Sequence, residues 1–173
     1  MTVITAFDVG YRTTADGEIG TCGVVGFTEW SAGVSSYEAV VKTTVTEPYV
    51  PGKLYLRELP CLLAGLAQFE KDTATKPTLI VVDGNVRLDQ DSKAGLGKRL
   101  FIELRETIQV VGVSKNPYAG LDAIEVHRGE SKKPIHVTAV GIDESAAATH
   151  ITSMHGMYRI PTMLRLADQL AST

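Results

Sequence analysis

The chain has 173 residues, of which 44% are apolar, enough to bury one hydrophobic core and few for two, so a single domain over 1–173 is expected. A formal net charge of −3 excludes a protein that coats nucleic acid through surplus Lys and Arg, yet it leaves room for a local site where bound cations reverse the sign. The opening MTVITAFDVGY carries no basic leader and no later run is long enough to span a bilayer, so a cytoplasmic monomer without a membrane partner is expected.

Residues 2–9, 19–30 and 36–46 are rich in Val, Thr, Phe and Tyr and are separated by Asp16-Gly17 and Ser31-Ala32-Gly33 turn signals; they predict a three-stranded antiparallel meander. The second of these carries Cys22. This thiol and Cys61 lack a C-x-x-C spacing and read as reduced, buried groups. Over 54–69 the residues Leu59, Leu62, Leu63, Leu66 and Phe69 recur at helical spacing. Pro60 fits only the first turn of such a helix, which puts Glu58 at or just before its start. TLIVVDG (78–84) is a continuous apolar run closed by Asp83-Gly84, the pattern of a strand buried on both faces. A helix follows at about 93–106, then a second such strand, QVVGVSKN (109–116), ending in Lys115. Strand, helix and strand imply a right-handed parallel crossover. Two further strands, 121–127 and 134–141, flank the polar RGESKK, and helices at 144–157 and 161–171 close the chain, with Asp143 as an N-cap and Pro161 at N1.

A meander followed by parallel strands with intervening helices is the order of an α/β, ribonuclease-H-like mixed sheet. There the first strand runs parallel to the two later ones, so Asp8, Asp83 and Lys115 emerge at one edge, where open α/β sheets bind ligands. Two carboxylates near a core boundary are costly when unpaired and repel one another. A hard divalent ion, Mg²⁺ or alternatively Mn²⁺, resolves both problems while leaving coordination sites for water and phosphate. Taken singly, Asp8 and Asp83 read as strand-end turn residues, Glu58 as a helix-dipole residue and Lys115 as a solvated charge. It is their combination that points to a metal-dependent site.

PYVPGKLYLRELP (48–60), LIVVDGN (79–85), VVGVSKNPY (110–118), the leading DVGY (8–11) and the closing YRIPTMLRLADQLAS (158–172) together resemble endonuclease V, the deoxyinosine endonuclease family. The resemblance implies a metal-dependent hydrolase that nicks DNA or RNA one bond beyond an inosine, on its 3′ side. It makes Asp8, Glu58 and Asp83 the acidic metal-site residues and puts Lys115 at the phosphate. Tyr49, between Pro48 and Pro51, becomes a wedge beside the lesion, and Gly52, Leu54 and Gly84 line the pocket for the extruded hypoxanthine. Physics is compatible with these roles, since an apolar wedge offsets unstacking and backbone at glycine approaches a flipped base closely. The alternative for PYVP is a rigid turn whose Tyr packs back on the fold.

Two departures stand out. The family's His-Pro-Arg after the Asp-Gly strand is replaced by Val86-Arg87-Leu88-Asp89-Gln90, and its Gly-His-Arg by TAVGIDES (138–145), where Val140 or Ile142 takes the histidine's place. Asp143 or Glu144 then becomes the candidate third metal group, against the competing reading of Asp143 as a helix cap. His150 and His155 are about 140° apart around a helix and form no metal pair. Lys93, Lys98, Arg99 and Arg105 either follow a phosphate backbone or cover a solvated helix face. The chain also begins at the first strand, without the family's N-terminal helical extension. A homologue that binds without cleaving, and a nuclease of this fold with another substrate, are the rival readings.

Overall fold

The computed structural model describes residues 2–51 and 53–173. The strands β1 (Ile4–Thr14), β2 (Gly17–Phe27) and β3 (Tyr37–Val45) form the expected antiparallel meander. β4 (Leu79–Asp83) pairs parallel to β1, and β5 (Gln109–Ser114) parallel to β4. β6 (Ile124–Val126) and β7 (Ile135–Val140) form an antiparallel pair, with β7 also antiparallel to β5. The sheet order is β3-β2-β1-β4-β5-β7-β6. Four helices pack on it: α1 (Tyr55–Thr73), α2 (Leu96–Glu103), α3 (Glu144–Ser153) and α4 (Thr162–Ala171). No helix among the described residues is long and apolar enough to cross a membrane.

Alternation along the strands sorts the apolar residues into two cores. Ile4, Ala6, Val25, Val81, Val111 and Val113 meet Ala147, Ile151, Met163 and Ala167 from α3 and α4. Phe7, Cys22, Val24, Ile80, Val82 and Val110 meet Leu62, Leu66, Phe69 and Leu100 from α1 and α2. Each fully buried side chain of this size contributes about 1.5–3 kcal/mol, which is why β4 carries four consecutive buried residues before its polar end. The same two-residue period extends the first face from Ala6 to Asp8, from Val81 to Asp83 and from Val113 to Lys115. Phe7 is in register with Val82, so one step further Asp8 lies beside Asp83.

Helix α4 completes this face. Met163, Ala167 and Ala171 form its buried side at four-residue spacing, and a side chain on Gly23 would collide with the Ala167 carbonyl. Glycine there lets the helix lie directly on the strands, and α4 carries Asp168 one residue beyond that contact.

Several boundaries differ from those expected. β1 does not end near Asp8 but runs to Thr14, because β2 continues to pair with it after β4 has ended. Asp8 therefore sits within a strand, where its parallel neighbour stops. β2 ends at Phe27, leaving Trp30 in the following turn. α1 starts at Tyr55, so Glu58 lies inside the first turn rather than before it and Pro60 falls in the second. α2 is shorter than expected, ending at Glu103 before Arg105 and Glu106 adopt positive φ of 56° and 60°.

Candidate active site at the carboxyl edge of the central strands

Asp8, Asp83 and Lys115 line one recess of about 30 Å³, room for an ion or a water, together with the apolar Val113, Ile160 and Leu164. Asp168 approaches from α4, close enough to Asp8 to raise its carboxyl. Asp8 is half-buried, whereas Asp83 and Asp168 reach solvent. Burial raises the Asp8 carboxyl well above its ordinary range, and the nearby Asp83 and Asp168 push it further, against a Val9 N–H donated to its Oδ1 at 2.8 Å. Asp83, open to water on one side and crowded by protein on the others, is raised first by that partial burial. Lys115 opposes the rise and Asp168 adds to it. Both carboxyls are thus raised, Asp8 by burial and its acidic neighbours, Asp83 by burial against the pull of Lys115.

Such a cluster favours a bound cation, since one ion replaces the repulsion and the desolvation cost together. Among the described residues no three Asp, Glu, His or Cys side chains are arranged to enclose an ion by themselves. The donor set therefore fits an ion that takes one or two carboxylates and completes its shell with water and phosphate oxygens, which is how Mg²⁺ binds.

Glu58 approaches from the other side of the sheet. Burial, and then Asp83, raises its carboxyl to about 7, while Arg57 pulls it back. Arg57 is itself fixed by an ion pair with Glu18 and by the Tyr11 ring 4.6 Å below its guanidinium. Lys115 is held from behind. Arg159 donates to the carbonyls of Lys115 and of Pro134, the latter at 2.8 Å, and so ties the end of β5 to the segment before β7.

The 46–51 segment projects from the fold. Tyr49 is 61% exposed and does not pack back, and Val50 and Leu54 are also exposed. Pro48 and Pro51 are likewise exposed, and the Lys53 N–H closes a turn on the Val50 carbonyl at 3.0 Å. Gly52 lies outside the described residues. Behind this segment, Arg99 stacks 3.6 Å above the Tyr55 ring. Gly84 adopts a φ of +130°, a conformation other residues rarely take, and its missing side chain would point into open space.

The structure does not bring Asp143 into the carboxylate cluster. Its side chain accepts from the Ala146 N–H at 3.1 Å and caps α3, the role the dipole and orphan amides of a helix start favour. Glu144 is also committed elsewhere. It takes two hydrogen bonds from Arg87, at 3.0 and 2.9 Å, and one from the Ala139 N–H at 3.1 Å. The third carboxylate at the cluster is Asp168, which an isolated Asp on an amphipathic helix does not announce. Its only sequence signal is its place in the LADQ segment already matched to the family. His150 stacks on Trp30 and His155 bonds Thr162, as ordinary structural groups. Lys98 bonds the Ser92 carbonyl at 2.9 Å.

A mixed sheet of this order, with acidic side chains gathered where its central parallel strands end, is a ribonuclease-H-like fold bearing a candidate metal site. The family model for Endonuclease V matches residues 1–142. Endonuclease V from Streptomyces avermitilis is 31% identical over 155 residues, covering 77% of this chain and 64% of that protein. The crystal structure of endonuclease V from Bacillus subtilis superposes with a TM-score of 0.79 at 19% identity, covering 99% of this chain and 80% of the other. Endonuclease V from Ciona intestinalis, in complex with a 23mer DNA containing an inosine followed by a ribo-adenosine, gives 0.77 at 17% identity, covering 99% and 84%. This chain belongs to the endonuclease V family. It spans a little under two thirds of the length of the relatives it matches in sequence.

The two stretches that depart from the family's histidine motifs, 86–90 and 138–145, touch each other through Arg87 and Glu144. Arg87 also pairs with Asp122 at 2.6 Å and bonds the Asp89 carbonyl at 2.8 Å.

Proposed function

We propose that this protein is a divalent-cation-dependent endonuclease that hydrolyses a phosphodiester bond near inosine in DNA or RNA. The observation that carries the reading is the convergence of Asp8, Asp83 and Lys115 on one recess at the sheet edge, with Asp168 of α4 close to both carboxylates. The inosine-containing DNA bound by the Ciona relative supports the substrate class. Asp8 and Asp83, with Asp168 beside them, are the residues that would hold Mg²⁺ or Mn²⁺. When bound, such an ion supplies charge stabilisation to the phosphoryl oxygens and lowers the pKa of water.

The chain's own groups do the rest. Lys115 offers a fixed positive charge to the phosphate oxygens. Glu58, with its carboxyl near 7, is suited to take a proton from attacking water at neutral pH. One P–O bond forms to the water oxygen as another breaks to the leaving hydroxyl. Exposed Tyr49 between Pro48 and Pro51 serves as the wedge, and Leu54 and Gly84 receive the extruded base.

One observation favours a second reading, a homologue that binds inosine-containing strands without cutting them efficiently. The two divergent stretches are occupied by the Arg87–Glu144 pair, so no histidine stands there. Incubating purified protein with single- and double-stranded inosine oligonucleotides, in DNA and RNA, with Mg²⁺, Mn²⁺ or EDTA separates these readings. Metal-dependent nicking beside inosine that is lost in Asp83→Ala supports the enzyme. Binding without nicking sinks it in favour of the second reading, and cleavage indifferent to inosine points to a different substrate.

A further inference from the structure

The segment between α3 and α4 exposes two large side chains on an unusually well-anchored backbone. Met157 is 75% exposed and Tyr158 59%. Beneath them Arg128, only 6% exposed, donates to the carbonyls of Ile151, Thr152, Met154, His155, Gly156 and Tyr158 at 3.0–3.5 Å. The next residue, Arg159, donates to Lys115 and Pro134. Gly129, where a side chain would run into the Met157 carbonyl, lets the turn before β7 pack against the same loop. A buried guanidinium spent on carbonyls holds this backbone still, with Met154 and Ile160 anchored in the core on either side, while Met157 and Tyr158 between them are left in solvent. Rigid presentation of exposed aromatic surface lowers the ordering cost of binding something there.

The surroundings indicate what is bound. Arg165 lies 4.9 Å over the Tyr158 ring, and Arg159 connects the loop directly to the backbone of Lys115, the proposed phosphate-binding residue. Lys132 and Lys133 are exposed on the adjoining turn, and Glu130 borders the groove beside Met157 and Tyr158. An aromatic ring among cations, continuous with a phosphate site, matches the chemistry of unpaired nucleotides, whose bases stack while their phosphates pair with Lys and Arg.

We propose that Tyr158, supported by Met157, is a stacking platform for an unpaired base of the strand whose phosphate lies at Lys115. This rests on the nuclease reading above and adds to it a second contact, separate from Tyr49. Arg128 and Arg159 are positioning residues for the platform.

The test uses the full chain with Ca²⁺ in place of Mg²⁺ and single-stranded oligonucleotides carrying one inosine, with 2-aminopurine placed in turn at neighbouring positions. At one position the unmodified protein is expected to change the 2-aminopurine emission. Tyr158→Ala should abolish that change and weaken binding about tenfold, while Tyr158→Phe restores both. Tyr158 is exposed, so the variants should melt like the parent. If the parent binds and Tyr158→Ala matches it in affinity and emission, the platform is overturned and the nuclease reading stands. If the parent binds no oligonucleotide, both fall.

Discussion

Two carboxylate clusters in this molecule use the same side chains in opposite states. In one, Arg87 lies between Glu144 and Asp122. Glu144, followed by Asp122, raises the arginine's already high pKa, and Asp122 is lowered chiefly by its hydrogen bond from Arg87. In the other, Asp8, Asp83 and Asp168 face each other with Lys115 as the cation acting on Asp83, and both Asp8 and Asp83 are raised. The first cluster is complete within the fold and joins the loop after β4 to the start of α3. The second carries a standing electrostatic cost that the fold does not relieve, and uncompensated charge in a cleft is the physical mark of a site built for a ligand. Substitutions should therefore act in opposite directions in the two clusters.

The largest effect is expected at the unrelieved cluster. Asp83→Ala should lower metal-dependent nicking of an inosine oligonucleotide by about a thousandfold or more, corresponding to several kcal/mol of lost charge stabilisation. Its metal-free melting temperature should not fall and should rise near pH 8. A variant that loses activity only in step with lost folding would break the contrast. At the complete cluster, Arg87→Ala should destabilise the fold by about 2–4 kcal/mol, because it leaves a largely buried Glu144 without its partner. The urea midpoint measures this, and a midpoint unchanged within error would show that the pair is not structural.

Titration sharpens the same comparison. Asp8, Asp83 and Glu58 have folded-state pKa values above their ordinary ones, so between about pH 4 and 8 the folded chain binds more protons than the unfolded one. Their stabilising protonation is complete below the ordinary carboxylate range and is lost as pH rises through the folded values. The metal-free chain should thus melt roughly 3–6 °C higher at pH 5.5 than at pH 8. Mg²⁺ should recover much of the difference at pH 8 and none of it in Asp83→Asn. A melting temperature that climbs from pH 5.5 to 8 would contradict the assignment. The smallest change in stability is expected at Tyr49, which is mostly in solvent. Tyr49→Ala should leave melting within about 0.5 kcal/mol of the parent, yet reduce the preference for inosine-containing over unmodified strands, as measured by competition binding.

The order of elements was legible in the chain because their apolar periods are unambiguous. TLIVVDG and QVVGVSKN announce doubly buried strands, and α/β order then leaves few ways to arrange them. Asp8, Asp83 and Lys115 followed from the two-residue period, which carries each from a buried neighbour to the same face of the sheet. Local pattern could not supply three further points. Pro60 sits in the second turn of α1 because the helix is nucleated earlier, through Leu56 and Arg57 amides bonded to Lys53 and Leu54 carbonyls. Asp143 offered two readings, helix cap or third metal group, and Asp168 is one acid on an amphipathic helix. Asp143 is spent locally on the Ala146 amide at the start of α3, whereas tertiary packing sets α4 onto glycine-bearing strands so that Asp168 reaches Asp8. Sequence by itself determined where each buried stretch gives way to charge, since burial writes its period into the chain. Only the tertiary structure decided which charges find a partner, since that depends on contacts between segments far apart along it.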